Sequence, residues 1–359
     1  MRTDASLIMV LSGFPRRSET FAVNEVLALE ERGVLAGIFA TKQGEIELVQ
    51  PAAKRLLPRV QLLPEGSPHE QAEFLAKRVR GENVKGIHGY FAHTPAEVAA
   101  HAATLLHKPY GFSVHAKDAR KLSAELLASR ARDAACVIAC NPDVAGEIQG
   151  SGAKVHLIPH GVDLERFKST PLPAGEPFRL VAVGRLVEKK GFHILLAAVA
   201  RLSHPFLLRI IGDGPERSRL ASLIEDLGIA DRVSLCGAKT HEELPDEYAA
   251  AHVLVAPSLK DREGDRDGLP NVVLEAMASG RAVVGTDAGA LSSALIPEQT
   301  GVVVPQGDAI SLAQALESLA SQPELLGALG CGARKFVSAR YEVGQCTERF
   351  CRVIREAYA

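Results

Sequence analysis

Three stretches of this 359-residue chain place charged side chains beside glycines in patterns that suit anionic ligands. The first is Gly184-Arg185-Leu186-Val187-Glu188-Lys189-Lys190-Gly191-Phe192, where cations follow an apolar run and precede a helix. Cations beside backbone N–H groups at a helix start suit a diphosphate, Arg as a bidentate fork and Lys as a mobile point charge. The second is Gly212-Asp213-Gly214-Pro215, which lets backbone approach a ligand and lets Asp213 cap the following helix. Its G-x-G lacks the third glycine of the dinucleotide fingerprint. The third and most specific is Asp265-Arg266-Asp267-Gly268-Leu269-Pro270-Asn271-Val272-Val273-Leu274-Glu275-Ala276-Met277-Ala278-Ser279-Gly280. Here Asp267 stands just before a helix and Glu275 lies on it. Backbone N–H groups of Gly268, Leu269, Asn271 and Val272 can point at phosphates. Acids at the two ends could grip sugar hydroxyls on one side and a ribose on the other. Asp265-Arg266-Asp267 also matches a D-x-D metal motif, but phosphate charge already has partners in Arg185 and Lys190, so no metal is assigned. Taken singly, each stretch also reads as a solvated turn.

The elements that would hold these residues alternate between short apolar runs and amphipathic segments, the mark of βαβ units around parallel sheets. Strands are expected at Leu7–Leu11, Leu35–Ala40, Gly86–Phe91, Tyr110–Val114, Cys136–Ala139 and Val155–Ile158. Helices are expected at Thr20–Arg32, Pro95–Leu106 and Lys117–Ala131. Residues 169–177, STPLPAGEP, read as a linker, because three prolines and a glycine suit neither a helix nor a central strand. The pattern restarts with strands at Phe178–Val183, Leu207–Ile211, Val233–Cys236, Val253–Ala256 and Ala282–Gly285. Each runs into a glycine or turn, and such C-terminal strand edges are where open α/β sheets bind ligands. The expected organisation is an N-terminal Rossmann-like domain over 1–168, the linker, a C-terminal Rossmann-like domain over 178–338, and a final helix over 339–359 crossing back to the first domain.

Length and composition agree with two soluble domains: 47% hydrophobic and 23% charged residues, with a net charge of −2 that excludes a strong global field for nucleic acid. The six cysteines form no C-x-x-C pair and do not cluster with histidines at zinc-finger spacing, so free thiols in a reducing compartment are expected. No leader peptide and no run of about 20 apolar residues is visible.

In combination these motifs resemble glycosyltransferase family 4, whose members are retaining enzymes of GT-B fold, with two Rossmann-like domains whose parallel sheets face across a cleft. The resemblance rests on "GRL…KKG", "GDGP", the acid-x7-acid segment ending "EAMASG", and "TGVVVPQGD" at Thr300–Asp308. The N-terminal half adds "SGFPRRSETF" (Ser12–Phe21), "HGYFAHTPAEVA" (His88–Ala99), "FSVHAKD" (Phe112–Asp118) and "IPHGVDLERF" (Ile158–Phe167). Together they are similar to the subgroup that builds colanic acid and related exopolysaccharides. The resemblance implies that Arg185 and Lys190 hold the donor diphosphate, Glu275 the ribose, and Asp267 with Gly268, Leu269, Asn271 and Val272 the sugar and its phosphates. It places His115 at the sugar, Gly13 on the donor, and the base at the backbone of Gly237 and Ala238. The loop of Arg16, Arg17, Ser18, Glu19 and Thr20 would meet acceptor or donor phosphate, with Arg16, Glu19, Thr20 and His93 assigned to the acceptor side, although Glu19 and Thr20 also read as a helix cap. His88 and His160 also stand at strand ends and read as structural.

The implied reaction is hexose transfer from a nucleoside diphosphate sugar, UDP-linked in preference to GDP-linked, to a glycan or lipid-linked saccharide, with no cofactor, metal or nucleic acid. The implied setting is the cytoplasm, with peripheral association at the inner membrane face compatible with a lipid-linked acceptor. An epimerase-like enzyme of the same fold and a non-catalytic nucleotide-sugar-binding subunit are the alternatives. Two departures stand out: the family's first acid is usually Glu where this chain has Asp267, and its GGxPE loop is here Gly289-Ala290-Leu291-Ser292-Ser293.

Overall fold

The computed structural model describes residues 6–16, 19–45, 51–119, 121–262 and 264–359, without the side chains of Lys117 and Asp118. Arg17 and Ser18 of the expected acceptor loop lie outside the described residues. The chain forms two compact units, one of Met1–Gly161 with Val343–Ala359 and the other of Val162–Glu342.

The first unit is built on a seven-stranded sheet of β1 (Leu7–Phe14), β2 (Leu35–Gln43), β3 (Val60–Leu62), β4 (Gly86–Gly89), β5 (Tyr110–Val114), β6 (Val137–Ala139) and β7 (Val155–Leu157), in the order β3-β2-β1-β4-β5-β6-β7. The second carries a six-stranded sheet of β8 (Phe178–Val183), β9 (Phe206–Ile211), β10 (Val233–Leu235), β11 (Val253–Ala256), β12 (Ala282–Thr286) and β13 (Gly301–Val304), in the order β10-β9-β8-β11-β12-β13. Every strand pairing within the two sheets is parallel. Parallel strands need crossovers, and helices supply them, so both faces of each sheet are covered.

That cover explains the near-continuous apolar strands. On β1, Leu7, Met9 and Leu11 enter one core while Ile8 and Val10 enter another on the opposite face. On β8, Leu180 and Ala182 face one core and Val181 the other, a split that β11 repeats with Val253 and Val255 against Leu254 and Ala256. A one-residue slip in register would exchange the two faces of a strand, so packing fixes the pairing. Val343–Ala357 is the last helix, and its Phe350, Cys351 and Ile354 complete the first unit's core beside Met9 and Val26.

The boundaries differ from those expected from the sequence. The first unit's opening segment ends at Gly161, before the expected Lys168, because Val162 and Phe167 are buried in a core of the second unit. The expected linker 169–177 also belongs to the second unit. Fully buried Arg281 donates to the carbonyls of Thr170 (2.9 Å) and Pro171 (3.3 Å), and His252 Nε2 meets the Pro173 carbonyl at 2.9 Å. Pro-rich backbone that cannot join a sheet is thus strapped down by side chains. The expected helix Lys117–Ala131 is two helices, Ala116–Ala119 and Ala124–Asp133, the second capped by Ser123, which accepts from the Leu126 amide.

Candidate active site

In the second sheet the winding direction reverses between β8 and β11, and open α/β sheets hold ligands beyond the C-terminal ends of the strands at such a switch point. The loops after those two strands carry the first and third sequence motifs. They are joined directly: the Leu259 amide donates to the Lys189 carbonyl at 2.8 Å. Gly191 has a φ of +65°, and a Cβ there would collide with the Pro257 carbonyl, so glycine is needed for this approach.

The approach brings Lys190 to Asp267, with Nζ 2.7 Å from Oδ2. Lys189 bridges Asp265 at 3.0 Å and Asp267 at 3.4 Å, and Ser258 donates to Asp267 at 3.1 Å. Thr286, at the end of β12, donates in turn to the Ser258 carbonyl. Burial alone would raise the Asp267 carboxyl, but Lys190 and Lys189 outweigh it and hold the group below the usual aspartate range. Arg185, at the same turn as Lys190, is exposed, and none of the described carboxylates pairs with it. Two helices start here with no side-chain cap: Phe192–Val199 behind Gly191, and Asn271–Ala278 behind Pro270. A helix opening with no side-chain cap, flanked by Lys, suits a phosphate.

Gly268, Leu269, Asn271 and Val272 line the approach to that second helix and are all half-buried. Gly289 has a φ of +61° and lies so close to the Asp267 carbonyl that a Cβ would collide with it. The variant loop 289–293 therefore seats Asp267, with a 3-10 turn at Leu291–Ser293 anchored by buried Leu291. Ser258 is a site residue that no sequence motif contained, and Lys189 and Gly289 were named within motifs without the roles they hold here.

Glu275 belongs to a different group of contacts. It is 4% exposed, accepts the Tyr248 hydroxyl at 2.8 Å, and has Oε1 3.4 Å from His241 Nε2. Among the described residues no hydrogen bond or ion pair joins it to Lys190. Gly237 has a φ of +73°, accepts from the Gly212 amide at 2.8 Å, and leads to exposed Ala238. Asp213 does not cap a helix as expected. Its Oδ1 accepts from the Gly214 amide, shaping the turn, and the helix begins later, at Arg217.

The first unit has its own cluster at its strand ends. His115, just after β5, is buried among Phe21, Tyr90 and Phe91, and its Nδ1 stands 3.2 Å from His160 Nε2. Burial first, then the neighbouring His160, push the His115 imidazole well below its ordinary value, so it is neutral at physiological pH. His160 stacks on Phe21 with ring centroids 3.9 Å apart and faces Glu25, which also accepts from Tyr90. His160, read as structural from the sequence, thus joins His115 in one constellation. His88 is buried between Tyr358 and Ser113, each 3.0 Å away, and is structural.

Beyond β1, Gly13 packs against the Gln43 carbonyl at the end of β2, with the Arg16 guanidinium also close. Arg16 lies 3.8 Å from Glu19. Glu19 occupies the N-cap position of the helix that Thr20 opens, but its side chain makes no cap hydrogen bond. Burial raises its carboxyl to about 7, with Arg16 opposing. His93 precedes the helix Thr94–Leu106, and burial, then the charges of Lys121, Lys42, Arg130 and Arg16, lower it to about 4. A group of cations therefore surrounds Glu19 and His93.

Two family models match the chain, Glycosyltransferase Family 4 over residues 18–166 and Glycosyl transferases group 1 over residues 164–336. WcaL of Escherichia coli, a candidate colanic acid biosynthesis glycosyltransferase, is 36% identical over 179 residues, covering 48% of this chain and 44% of that protein. A GDP-mannose-dependent alpha-(1-6)-phosphatidylinositol monomannoside mannosyltransferase of Mycobacterium tuberculosis is 31% identical over 205 residues, covering 54% and 53%. The chain spans about half the length of these curated relatives. Among solved structures, Anabaena HepE in complex with UDP superposes with a TM-score of 0.81 at 18% identity, covering 97% of this chain and 99% of that one. Sucrose-phosphate synthase from Thermosynechococcus elongatus gives 0.80 at 23% identity, covering 98% of each. Among the described residues no helix is long and apolar enough to cross a membrane. With two sheets of matching winding and two family models that follow one another from residue 18 to residue 336, this chain belongs to the group 1/family 4 glycosyltransferases of GT-B fold.

Proposed function

We propose that this protein is a retaining hexosyltransferase that takes a sugar from a nucleoside diphosphate, UDP in preference to GDP, and passes it to a glycan or lipid-linked saccharide acceptor in envelope or exopolysaccharide synthesis. The observation that carries the reading is the meeting of Lys190 with Asp267 at the switch point of the second sheet, beside two uncapped helix starts. Lys190 and Arg185 serve the diphosphate, and Asp267 with the backbone of Gly268, Leu269, Asn271 and Val272 serves the sugar. Glu275 serves the ribose and Gly237-Ala238 the base. In the first unit, neutral His115 serves the donor sugar, and Arg16, Glu19, Thr20 and His93 belong to the acceptor side, where the cations favour an anionic acceptor.

Catalysis rests on positioning and on charge stabilisation of the departing nucleoside diphosphate, whose phosphate takes the acceptor's proton. No step requires a metal or cofactor. The expected setting is the cytoplasm, with peripheral association at the inner membrane face compatible with a lipid-linked acceptor. The name of the colanic acid relative supports a polysaccharide pathway, and one curated relative is named as GDP-mannose-dependent, so the base is tested directly.

The test is a thermal-shift panel of UDP, GDP and their sugars, followed by transfer assays with the stabilising donor. A ligand that binds only the folded state raises the midpoint, by about 2.7 kcal/mol of stability at a hundredfold excess over Kd. UDP compounds are expected to shift the protein, and Lys190→Ala is expected to abolish the shift. Equal indifference to every nucleotide sugar would end the reading. Binding without turnover would favour the non-catalytic alternative.

A further inference from the structure

His115, Cys140 and His160 follow the C-terminal ends of β5, β6 and β7, which are neighbours in the first sheet. One ligand-type atom from each lies within 4.8 Å of the other two. Sequence spacing could not show this, because the three residues are separated by whole helical crossovers.

The geometry suits a tetrahedral cation. Zinc bonds to imidazole nitrogen at about 2.0–2.1 Å and to thiolate sulfur at about 2.3 Å, which at tetrahedral angles separates two nitrogens by about 3.3 Å and nitrogen from sulfur by about 3.6 Å. Nδ1 of His115 and Nε2 of His160 already stand 3.2 Å apart. The Cys140 sulfur lies within 4.8 Å of a nitrogen of each histidine, so a closure of at most about 1.2 Å on each brings it to zinc-ligand separation.

The surroundings orient two of the three ligands, and the third, His115, hydrogen-bonds to the backbone of Tyr90. Glu25 Oε1 faces His160 Nδ1 at 3.4 Å, which favours the proton on Nδ1 and leaves the Nε2 lone pair aimed at His115. Asn141 Oδ1 caps the helix Pro142–Ile148 by accepting from the Val144 amide at 2.9 Å. Its amide group is therefore turned so that Nδ2 donates to Cys140 Sγ at 3.3 Å, a contact that favours thiolate. Phe21, Tyr90 and Phe91 form an apolar wall around the histidines. A proton shared between the two rings would account for the histidine pair, but not for a thiol and a carboxylate placed around it as ligand and outer-shell acceptor.

We propose that His115, Cys140 and His160 form a binding site for a soft divalent cation, zinc in the first instance, with Glu25 as its outer-shell carboxylate. Binding releases the Cys140 thiol proton and any proton held between the imidazoles, and leaves the fourth metal position open. Occupancy takes up the imidazole that the transferase reading assigns to the sugar, so zinc acts as a brake on transfer. That consequence rests on the proposed transferase function, whereas the binding does not.

The experiment uses the full chain, stripped with a chelator and titrated with zinc against a chromogenic competitor, then with cobalt as a spectroscopic probe. One zinc per chain with micromolar or tighter affinity is expected, and cobalt should show a thiolate charge-transfer band. Cys140→Ser and His160→Gln should each weaken zinc at least tenfold, and Cys236→Ser, a half-buried thiol of the second unit, should leave it unchanged. If His160→Gln fails to fold, the near-isosteric Cys140→Ser decides alone. Absence of binding, undiminished affinity in Cys140→Ser, or a cobalt spectrum without the thiolate band each overturns the site. Zinc bound at these residues in a chain that transfers no sugar upholds the site and removes the transferase reading instead.

Discussion

Asp267→Asn separates two roles that a simple loss-of-function variant would merge. Asp267 holds Lys190 at 2.7 Å and Lys189 at 3.4 Å, so a donor diphosphate must compete with it for Lys190. Asparagine keeps an acceptor for Ser258 but removes the charge. A negative charge roughly 5 Å from a bound diphosphate costs about 0.8 kcal/mol at bulk-water dielectric and about 3 kcal/mol at an effective dielectric of 20. The Asp267 side chain is 12% exposed, between those limits, so UDP should bind Asp267→Asn at least about fourfold more tightly than wild type. Transfer should nevertheless fall by about a hundredfold or more, because the sugar loses its carboxylate partner in the transition state.

Stability should move in the opposite direction to UDP affinity. The side chains of Lys190 and Asp267 are 17% and 12% exposed, between the surface and buried regimes, so breaking the pair should cost on the order of 1–3 kcal/mol. For a unit of this size that is a midpoint drop of about 5 °C. The folded Asp267 carboxyl lies below its ordinary value of 3.8, so its contribution is fully present above that pH and disappears as pH falls through the folded value. The gap between wild type and variant should therefore be constant from about pH 5 to 8 and close only under strongly acidic conditions. Isothermal titration with UDP and calorimetric unfolding measure both quantities. Weaker UDP binding in Asp267→Asn would show that the carboxylate supports the diphosphate site rather than competing for it, and the electrostatic argument would fail.

Glu275→Gln retains an acceptor for the buried Tyr248 hydroxyl, so stability should stay within about 1 kcal/mol while UDP affinity falls about tenfold, whereas Glu275→Ala leaves that hydroxyl unsatisfied at a cost of about 1–3 kcal/mol. Full affinity in Glu275→Gln would make this residue structural only. Glu19 is raised by burial to about 7 against 4.5 unfolded, so the unfolded state loses its proton first and stability falls as pH rises between those values. Glu19→Gln should leave the unfolding free energy unchanged near pH 4 and raise it at pH 8 by on the order of 1–3 kcal/mol, and an equal change at both pH values would refute the assignment. Arg281→Met removes the donors that strap Thr170 and Pro171, so limited proteolysis should cut within 169–177 much faster than in wild type. Unchanged cleavage would return that segment to an ordinary surface linker.

How much of the fold could be read from the letters depended on where each strand lies. Central strands such as β8 and β11 are buried on both faces, so FRLVAV and VLVA announce themselves as apolar runs closed by Gly184 and Pro257. Edge strand β3 is only Val60–Leu62, too short for any period, and Leu62 is exposed, so it was not visible. The break at Ser123 carried a helix-capping residue in plain view, yet the apolar spacing across it mimicked one continuous helix. The segment 169–177 misled for a different reason. Proline content reports what backbone cannot do, not what a buried arginine more than a hundred residues away will do with its carbonyls.

The same distinction governs the site. Parallel strands return every C-terminal end to one edge, so residues remote in sequence meet there by topology alone. Motifs within a single loop, Gly184–Gly191 and Asp265–Asn271, were legible because each carries its own glycines and charges. The sharing of Asp267 between two lysines, its close approach to Gly289, and the pairing of Glu275 with Tyr248 were not, since each joins residues from different elements. His115, Cys140 and His160 are the extreme case. The chain shows three unrelated polar residues after three apolar runs, and only the order β5-β6-β7 turns them into one chemical group. In this architecture, the loop that follows each strand is therefore the place at which a sequence reading should look for partners, whatever the distance along the chain.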